Sequence, residues 1–256
     1  MSSAKFLLYT AKVCPYAARA ELALALAGIQ HETFEVDLMN KPDWYNEKVN
    51  AASKVPVLVT NPESSTEFKL PESLVIVEYI HDLTSTPNSS IIFPSSSTPE
   101  SRAISRYIVE RYMQLVQPHY ISTALRGESS ALALLRQGLV EFNSLLKTFD
   151  SVEKSGDFIQ AENVFSYADL NIAPFIARIL SASKHDILPN PNHAINKIHQ
   201  DVQQGTHGFE RIQKWWNAVQ NLDVWKNVWI EQAYLEPARK MIAKRNATQQ
   251  QQQQAN

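Results

Sequence analysis

Cys14 is the one cysteine in 256 residues, and it stands directly before Pro15 in the stretch FLLYTAKVCPYA, residues 6–17. Upstream, the apolar run from Lys5 to Tyr9 reads as a strand. Downstream, Ala17 to Ala27 is rich in alanine and leucine, reads as a helix and closes at Gly28. Proline is well tolerated at the first helical position, so Cys14 falls at the helix N-cap. Unpaired N–H groups and the helix dipole favour negative charge there, and with it thiolate over thiol. Lowering a thiol pKa by two units takes ~2.7 kcal/mol, and a helix terminus supplies about 0.3–1, or about 2 at best. Direct hydrogen bonds or a nearby cation must supply the rest of any large shift. Most lone cysteines are buried structural residues. The strand–Cys-Pro–helix context favours the reactive reading.

The whole chain narrows what this thiol can serve. A formal charge of −2 gives no electrostatic case for nucleic acid. One cysteine excludes an intrachain disulfide and a multi-cysteine zinc site, and suits a reducing compartment. No metal site is expected, because the seven histidines show no ligand spacing. No phosphate-loop or nucleophile-elbow pattern occurs. The start lacks the long apolar core of a signal peptide and no run reaches membrane-spanning length, so a cytoplasmic protein with no membrane partner is expected.

The elements that must position the cysteine follow in order. Ile29 to Leu38 alternates apolar and polar residues and reads as a strand, which completes a βαβ unit with Cys14 at its first strand-to-helix turn. After Lys41-Pro42-Asp43-Trp44 comes an apolar strand from Lys54 to Val59, then turn residues, a second strand over 67–70 and a helix after Glu72-Ser73. X–Pro bonds are mostly trans, so local sequence alone favours trans Pro56. Order β-α-β-α-β-β-α is thioredoxin-like. A Ser/Pro-rich linker follows, and beyond it the sequence reads as helices only. Ser166 and Asp169 form a variant capping box with a structural role. Tyr112, Trp225 and Trp229 read first as core packing, with a place in the wall of a ligand site the lesser alternative. The domains are expected at 1–84 (thioredoxin-like), 85–100 (linker), 101–240 (all-helical) and 241–256 (a disordered Gln-rich tail).

This α/β thioredoxin-like N-terminal domain plus all-α C-terminal domain resembles the glutathione transferase fold, and its motifs resemble the omega class and its fungal omega-like relatives. Cys14-Pro15-Tyr16-Ala17 is also similar to a glutaredoxin motif with Ala17 in place of the second cysteine. The resemblance implies Cys14 as the catalytic residue. It implies Lys41 at the glycyl end of glutathione, Val55 on its cysteinyl part, Glu72 and Ser73 on its γ-glutamyl end, and Pro15 and Tyr16 beside it. It makes Pro56 cis, against the local reading, and gives Ser166 and Asp169 as the family's capping pair. Glutathione is the implied co-substrate. The partner is a small electrophile or disulfide, the assembly a homodimer, and the activity monothiol transfer, including deglutathionylation and dehydroascorbate-type reduction. Two alternatives stand beside it. One is a transferase-fold protein that binds glutathione or a protein without turnover. The other is a conventional conjugating transferase in which the hydroxyl of Tyr9 or Tyr16 activates glutathione.

Overall fold

The computed structural model describes residues 5–84, 92–93, 96–153, 156–159, 164–189 and 197–254. The chain divides into two compact units: Met1–Ser97 with Leu222–Trp229, and Thr98–Asn221 with Ile230–Asn256.

The first unit is built on a four-stranded sheet. Its strands are β1 (Phe6–Thr10), β2 (Glu32–Glu35), β3 (Val57–Thr60) and β4 (Phe68–Pro71). They lie in the order β2-β1-β3-β4. β1 and β2 are parallel, as a helical crossover requires, with Tyr9 opposite Phe34. β3 runs antiparallel to both β1 and β4, with Leu8 opposite Leu58 and Leu58 opposite Leu70. Every residue of β3 is buried, which explains its unbroken apolar run, whereas the outer strands β2 and β4 are mostly exposed. This is the thioredoxin-like sheet that the residue order implied.

Helix α1 (Pro15–Leu26) is buried continuously from Ala17 to Leu24 and packs on α3 (Ser73–Thr84) and on α10 (Asp223–Val228). Small residues such as Ala17, Ala20 and Ala23, all fully buried, let neighbouring elements approach closely. The short α2 (Tyr45–Lys48) follows the Lys41–Trp44 stretch. Of the expected linker, residues 85–91 and 94–95 lie outside the described residues. Ile92 and Phe93 are buried, and Phe93 meets the ring of His81 edge-on at 5.2 Å.

The second unit contains α4 (Pro99–Leu115), α5 (Gln117–Tyr120), a π-helical turn at Ile121–Leu125, α6 (Ala131–Glu153), α7 (Tyr167–Lys184), α8 (Ile198–Gln204), α9 (Glu210–Asn221) and α11 (Glu231–Gln254). Thr98 N-caps α4 by accepting from the Ser101 N–H at 3.2 Å, so this helix begins inside the stretch read as linker. Asn143 on α6 does the same for α9 from a distance, its Oδ1 accepting from the Arg211 and Ile212 N–H groups at 2.9 Å each.

Asp169 holds the start of α7. Its carboxylate accepts from the Ser166 N–H (3.0 Å) and hydroxyl (3.2 Å), closing a capping box. It also accepts from the Ile159 N–H at 2.9 Å and the Trp215 indole at 2.7 Å. Three separated segments thus meet on one side chain. Tyr112 is fully buried and packs edge-on against Phe142 and Phe175, at 5.1 and 5.9 Å, so its place is in the helical core. The backbone is helical from Glu231 to Gln254, across most of the stretch read as a disordered tail. Glutamine is a good helix former, and low complexity alone does not oppose a helix that is already nucleated. Among the described residues, no helix is long and apolar enough to cross a membrane.

Candidate active site

The turn between β1 and α1 places Cys14 at the N-cap of α1 with extended backbone, φ −86° and ψ 118°, and Pro15 opens the helix. The Cys14 N–H donates to Ala11 O at 2.8 Å, and Cys14 O accepts from the Ala18 N–H at 3.2 Å. Cys14 is half-buried and packs on an apolar cluster that includes Ala17, Val36, Tyr45 and Val55. Its thiol approaches Val55 O at 4.0 Å, a weak hydrogen bond that only the protonated form donates.

Val55 and Pro56 meet across a cis peptide bond, as the family resemblance implies and the local reading does not. They form one wall of a cavity of about 450 Å³, within the size range of small-molecule pockets. Cys14, Tyr16, Lys41, Val55, Pro56, Glu72 and Ser73 all line it. Residues from four separate stretches of sequence therefore converge on one concavity. Pro15 is not among the lining residues and occupies the first position of α1. Ser166 and Asp169 belong to the other unit.

The cavity lining carries both signs of charge. The Lys41 ammonium donates to the Ser53 carbonyl and hydroxyl, and among the described residues no carboxylate pairs with it. The start of α3 also lines the cavity. Glu72 is exposed and adopts φ +71°, a left-handed conformation that is uncommon for a glutamate and concentrated at functional sites. Its carbonyl accepts from the Ile76 N–H at 2.9 Å, so α3 bonding begins at Glu72, and Ser73 is the first helical residue. Ser73 is buried, and its hydroxyl accepts from the buried Arg19 guanidinium at 3.3 Å. The same guanidinium lies over the Tyr16 ring, 5.5 Å from its centroid. The α3 start therefore offers amide donors, a serine hydroxyl and a carboxylate together.

Four further lining residues, Leu38, Asn50, Ser53 and Lys54, were not singled out in the sequence. Asn50 accepts from the Ala52 N–H and donates to Lys54 O, both at 3.0 Å, and Ser53 has φ +54°. Asn-Ala-Ala-Ser before an X–Pro pair is turn chemistry, and that signal could have marked this wall. The hydroxyl of Tyr9 is poorly placed to activate a ligand. Its ring packs on Phe34, Tyr45 and Trp44 at 5.4–6.5 Å, it does not line the cavity, and burial pushes its pKa up. Tyr45 is raised further, first by burial and then by Tyr9 and Cys14, and donates to Lys54 O at 2.9 Å.

A four-stranded thioredoxin-type sheet, with a cysteine at its first strand-to-helix turn beside a cis Val–Pro bond, defines the class of fold. Comparison with known proteins narrows the class. A family model described as glutathione S-transferase, N-terminal domain, matches residues 8–88. Glutathione S-transferase omega-2 of Rattus norvegicus is 29% identical over 195 residues, 70% of this chain and 75% of the relative. The crystal structure of glutathione transferase Omega 1C from Trametes versicolor aligns with TM-score 0.77 and 33% identity, covering 94% of this chain and 97% of that one. Omega 2C from the same fungus aligns with TM-score 0.79 and 28% identity, over 94% and 100% of the two chains. The chain spans 65% to 77% of the length of the first curated relatives it matches. The chain belongs to the glutathione transferase family, on the omega-like branch that these fungal structures represent.

Proposed function

We propose that this protein is a glutathione-dependent thiol transferase in which Cys14 is the nucleophile. The observation that supports it is the convergence of Cys14, Lys41, Val55, Glu72 and Ser73 on one cavity. Glutathione carries a carboxylate at each end, an α-amino group at one of them, and a thiol between. Lys41 receives the glycyl carboxylate and the start of α3 receives the γ-glutamyl carboxylate, where helix N–H groups favour an anion. Glu72 faces the α-amino group, and the Val55 backbone pairs with the cysteinyl segment. That arrangement sets the glutathione sulfur toward Cys14.

In the first step the Cys14 thiolate attacks the glutathionyl sulfur of a mixed disulfide. A Cys14–glutathione disulfide forms and the substrate thiolate leaves. In the second step the thiolate of a free glutathione attacks that disulfide, giving oxidised glutathione and restoring Cys14. With Ala17 where a dithiol enzyme keeps its resolving cysteine, the second thiol has to come from solution. Exchange is fastest when the attacking thiol's pKa lies near ambient pH. Deglutathionylation, dehydroascorbate-type reduction and reductive removal of small thiol adducts belong to this chemistry. A homodimer in the cytoplasm is part of the same reading.

The test is reduction of hydroxyethyl disulfide by glutathione, beside conjugation of chlorodinitrobenzene, in wild type and Cys14→Ser. We expect disulfide reduction in the wild type and its loss in the variant. Reduction that survives the substitution refutes the mechanism. Glutathione binding without either activity identifies a binding module. Conjugation alone, undiminished in Cys14→Ser, identifies a conventional transferase that uses Tyr16 or another hydroxyl.

A further inference from the structure

The turn that carries Cys14 is held from behind by a carboxylate that does not line the cavity. Glu21, in the second turn of α1, is buried, as are Ala20 and Leu22 on either side of it in sequence. Its Oε1 accepts from the hydroxyl of Thr10 at 2.6 Å, and its Oε2 accepts from the Lys12 ammonium at 3.0 Å. Thr10, also buried, ends β1. The Lys12 N–H donates to Glu35 Oε1 at 2.7 Å, at the end of β2. The Cys14 N–H then closes the turn onto Ala11 O. Burying a carboxylate is costly, and an apolar side chain of similar volume packs at such a position without that penalty. Glu21 is thus an expensive way to fill space. What it adds is a tie between the helix interior and two residues of the segment leading to the thiol.

We propose that Glu21 is a positioning residue for the Cys14 thiol. By binding Thr10 and Lys12 to the body of α1, it fixes the turn over residues 11–14 and with it the place of the sulfur at the helix start. The inference rests on Cys14 being the reacting group. The ionisable groups that hold the turn are Lys12, Glu21 and Glu35; the phenols of Tyr45 and Tyr9 pack on the same cluster as the thiol, and Tyr16, Lys41, Lys54 and Glu72 line its cavity. Position and charge pull the thiol in opposite directions. Loosening the turn withdraws the thiolate from the helix N–H groups and raises its pKa, whereas deleting a nearby negative charge lowers it.

The experiment measures the pH profile of Cys14 alkylation by iodoacetamide, with hydroxyethyl disulfide turnover, in wild type, Glu21→Ala and Glu21→Gln, at a temperature where circular dichroism shows each folded. In Glu21→Ala the alkylation midpoint is expected to rise by about 0.5 pH unit or more, and kcat to fall about tenfold with KM for glutathione within about twofold. Glu21→Gln keeps an acceptor for Thr10 and releases only Lys12, so it recovers most of the rate, falling about two- to threefold. It carries the test alone should the alanine variant not fold. Profiles and rates that match wild type in folded variants overturn the proposal, leaving Glu21 a stabilising residue only. A lowered midpoint with undiminished rate overturns it in favour of a charge effect, and a raised KM at constant kcat in favour of pocket shape. Alkylation reads the thiol without turnover, so failure of the proposed activity and failure of this inference give different results.

Discussion

Glu21 and Asp169 are the carboxylates buried among the described residues, one in each unit, and they are satisfied in opposite ways. Asp169 is fully buried and accepts from four neutral donors on three segments, with burial pushing its carboxyl up to about 6 against the pull of those donors. Glu21 accepts from one hydroxyl and one ammonium, and the Lys12 side chain that supplies the ammonium is 42% exposed. A carboxylate held by neutral donors alone can only join pieces of a core. One held by a lysine that reaches solvent joins the core to the turn that carries Cys14. The first ties a core together, and the second ties a core to a turn.

The largest effect expected from breaking this contrast is at Asp169. Replacement by alanine leaves buried N–H and indole donors without an acceptor, and should cost about 3–5 kcal/mol. Calorimetry is expected to show a melting transition lowered by about 10 °C, at about 2–4 °C per kcal/mol for a chain of this size.

Its pH dependence sharpens the same point. A carboxyl near 6 when folded and about 3.9 when unfolded binds its proton more tightly in the folded state. The stability tied to that proton is fully present below about pH 4 and is lost as pH rises through about 6, amounting to about 2–3 kcal/mol. Urea unfolding of wild type and Asp169→Asn across pH 4–7 should show this decline in the wild type and not in the variant.

On the other side of the comparison, Lys41→Ala removes a cation that no carboxylate pairs with among the described residues. It should weaken glutathione binding about tenfold by calorimetric titration, with little change in melting temperature. Smallest of all, Lys12→Met removes a partly exposed ion pair, and urea unfolding should show a loss of about 0.5–1 kcal/mol that shrinks in high salt. A loss as large as that at Asp169 would show that the two carboxylates do the same job.

Much of this site was legible because its pieces are short and chemically distinct. An apolar run, a cysteine and a proline mark the β1–α1 turn, and Lys41, Val55, Glu72 and Ser73 sit on motifs that the family resemblance names. The wall made by Asn50, Ser53 and Lys54 carries a turn signal, but no residue type there announces chemistry, and backbone φ values and side-chain turns shape it. The clamp at Glu21 was hidden for a related reason. A glutamate in a helix reads as a solvated face, and only the tertiary contacts of Thr10 and Lys12 show it buried. Pro15 illustrates the converse: its place in a motif suggested a ligand contact, while its fixed φ serves the helix start. The reading of helices only beyond the linker could not show that Leu222–Trp229 belongs with the first unit, since packing partners distant in sequence leave no local trace.

That last segment has a consequence for how the protein is made. The helix carrying the thiol packs on α10, whose Trp225 is buried, and α10 lies more than 120 residues downstream of the rest of its unit. On the ribosome, the sheet, Cys14 and the residues that line its cavity emerge first. The surface of α1 that α10 covers stays open until Asp223–Val228 has been synthesised. Until then the nascent chain carries Cys14 at the start of a helix whose packing is unfinished.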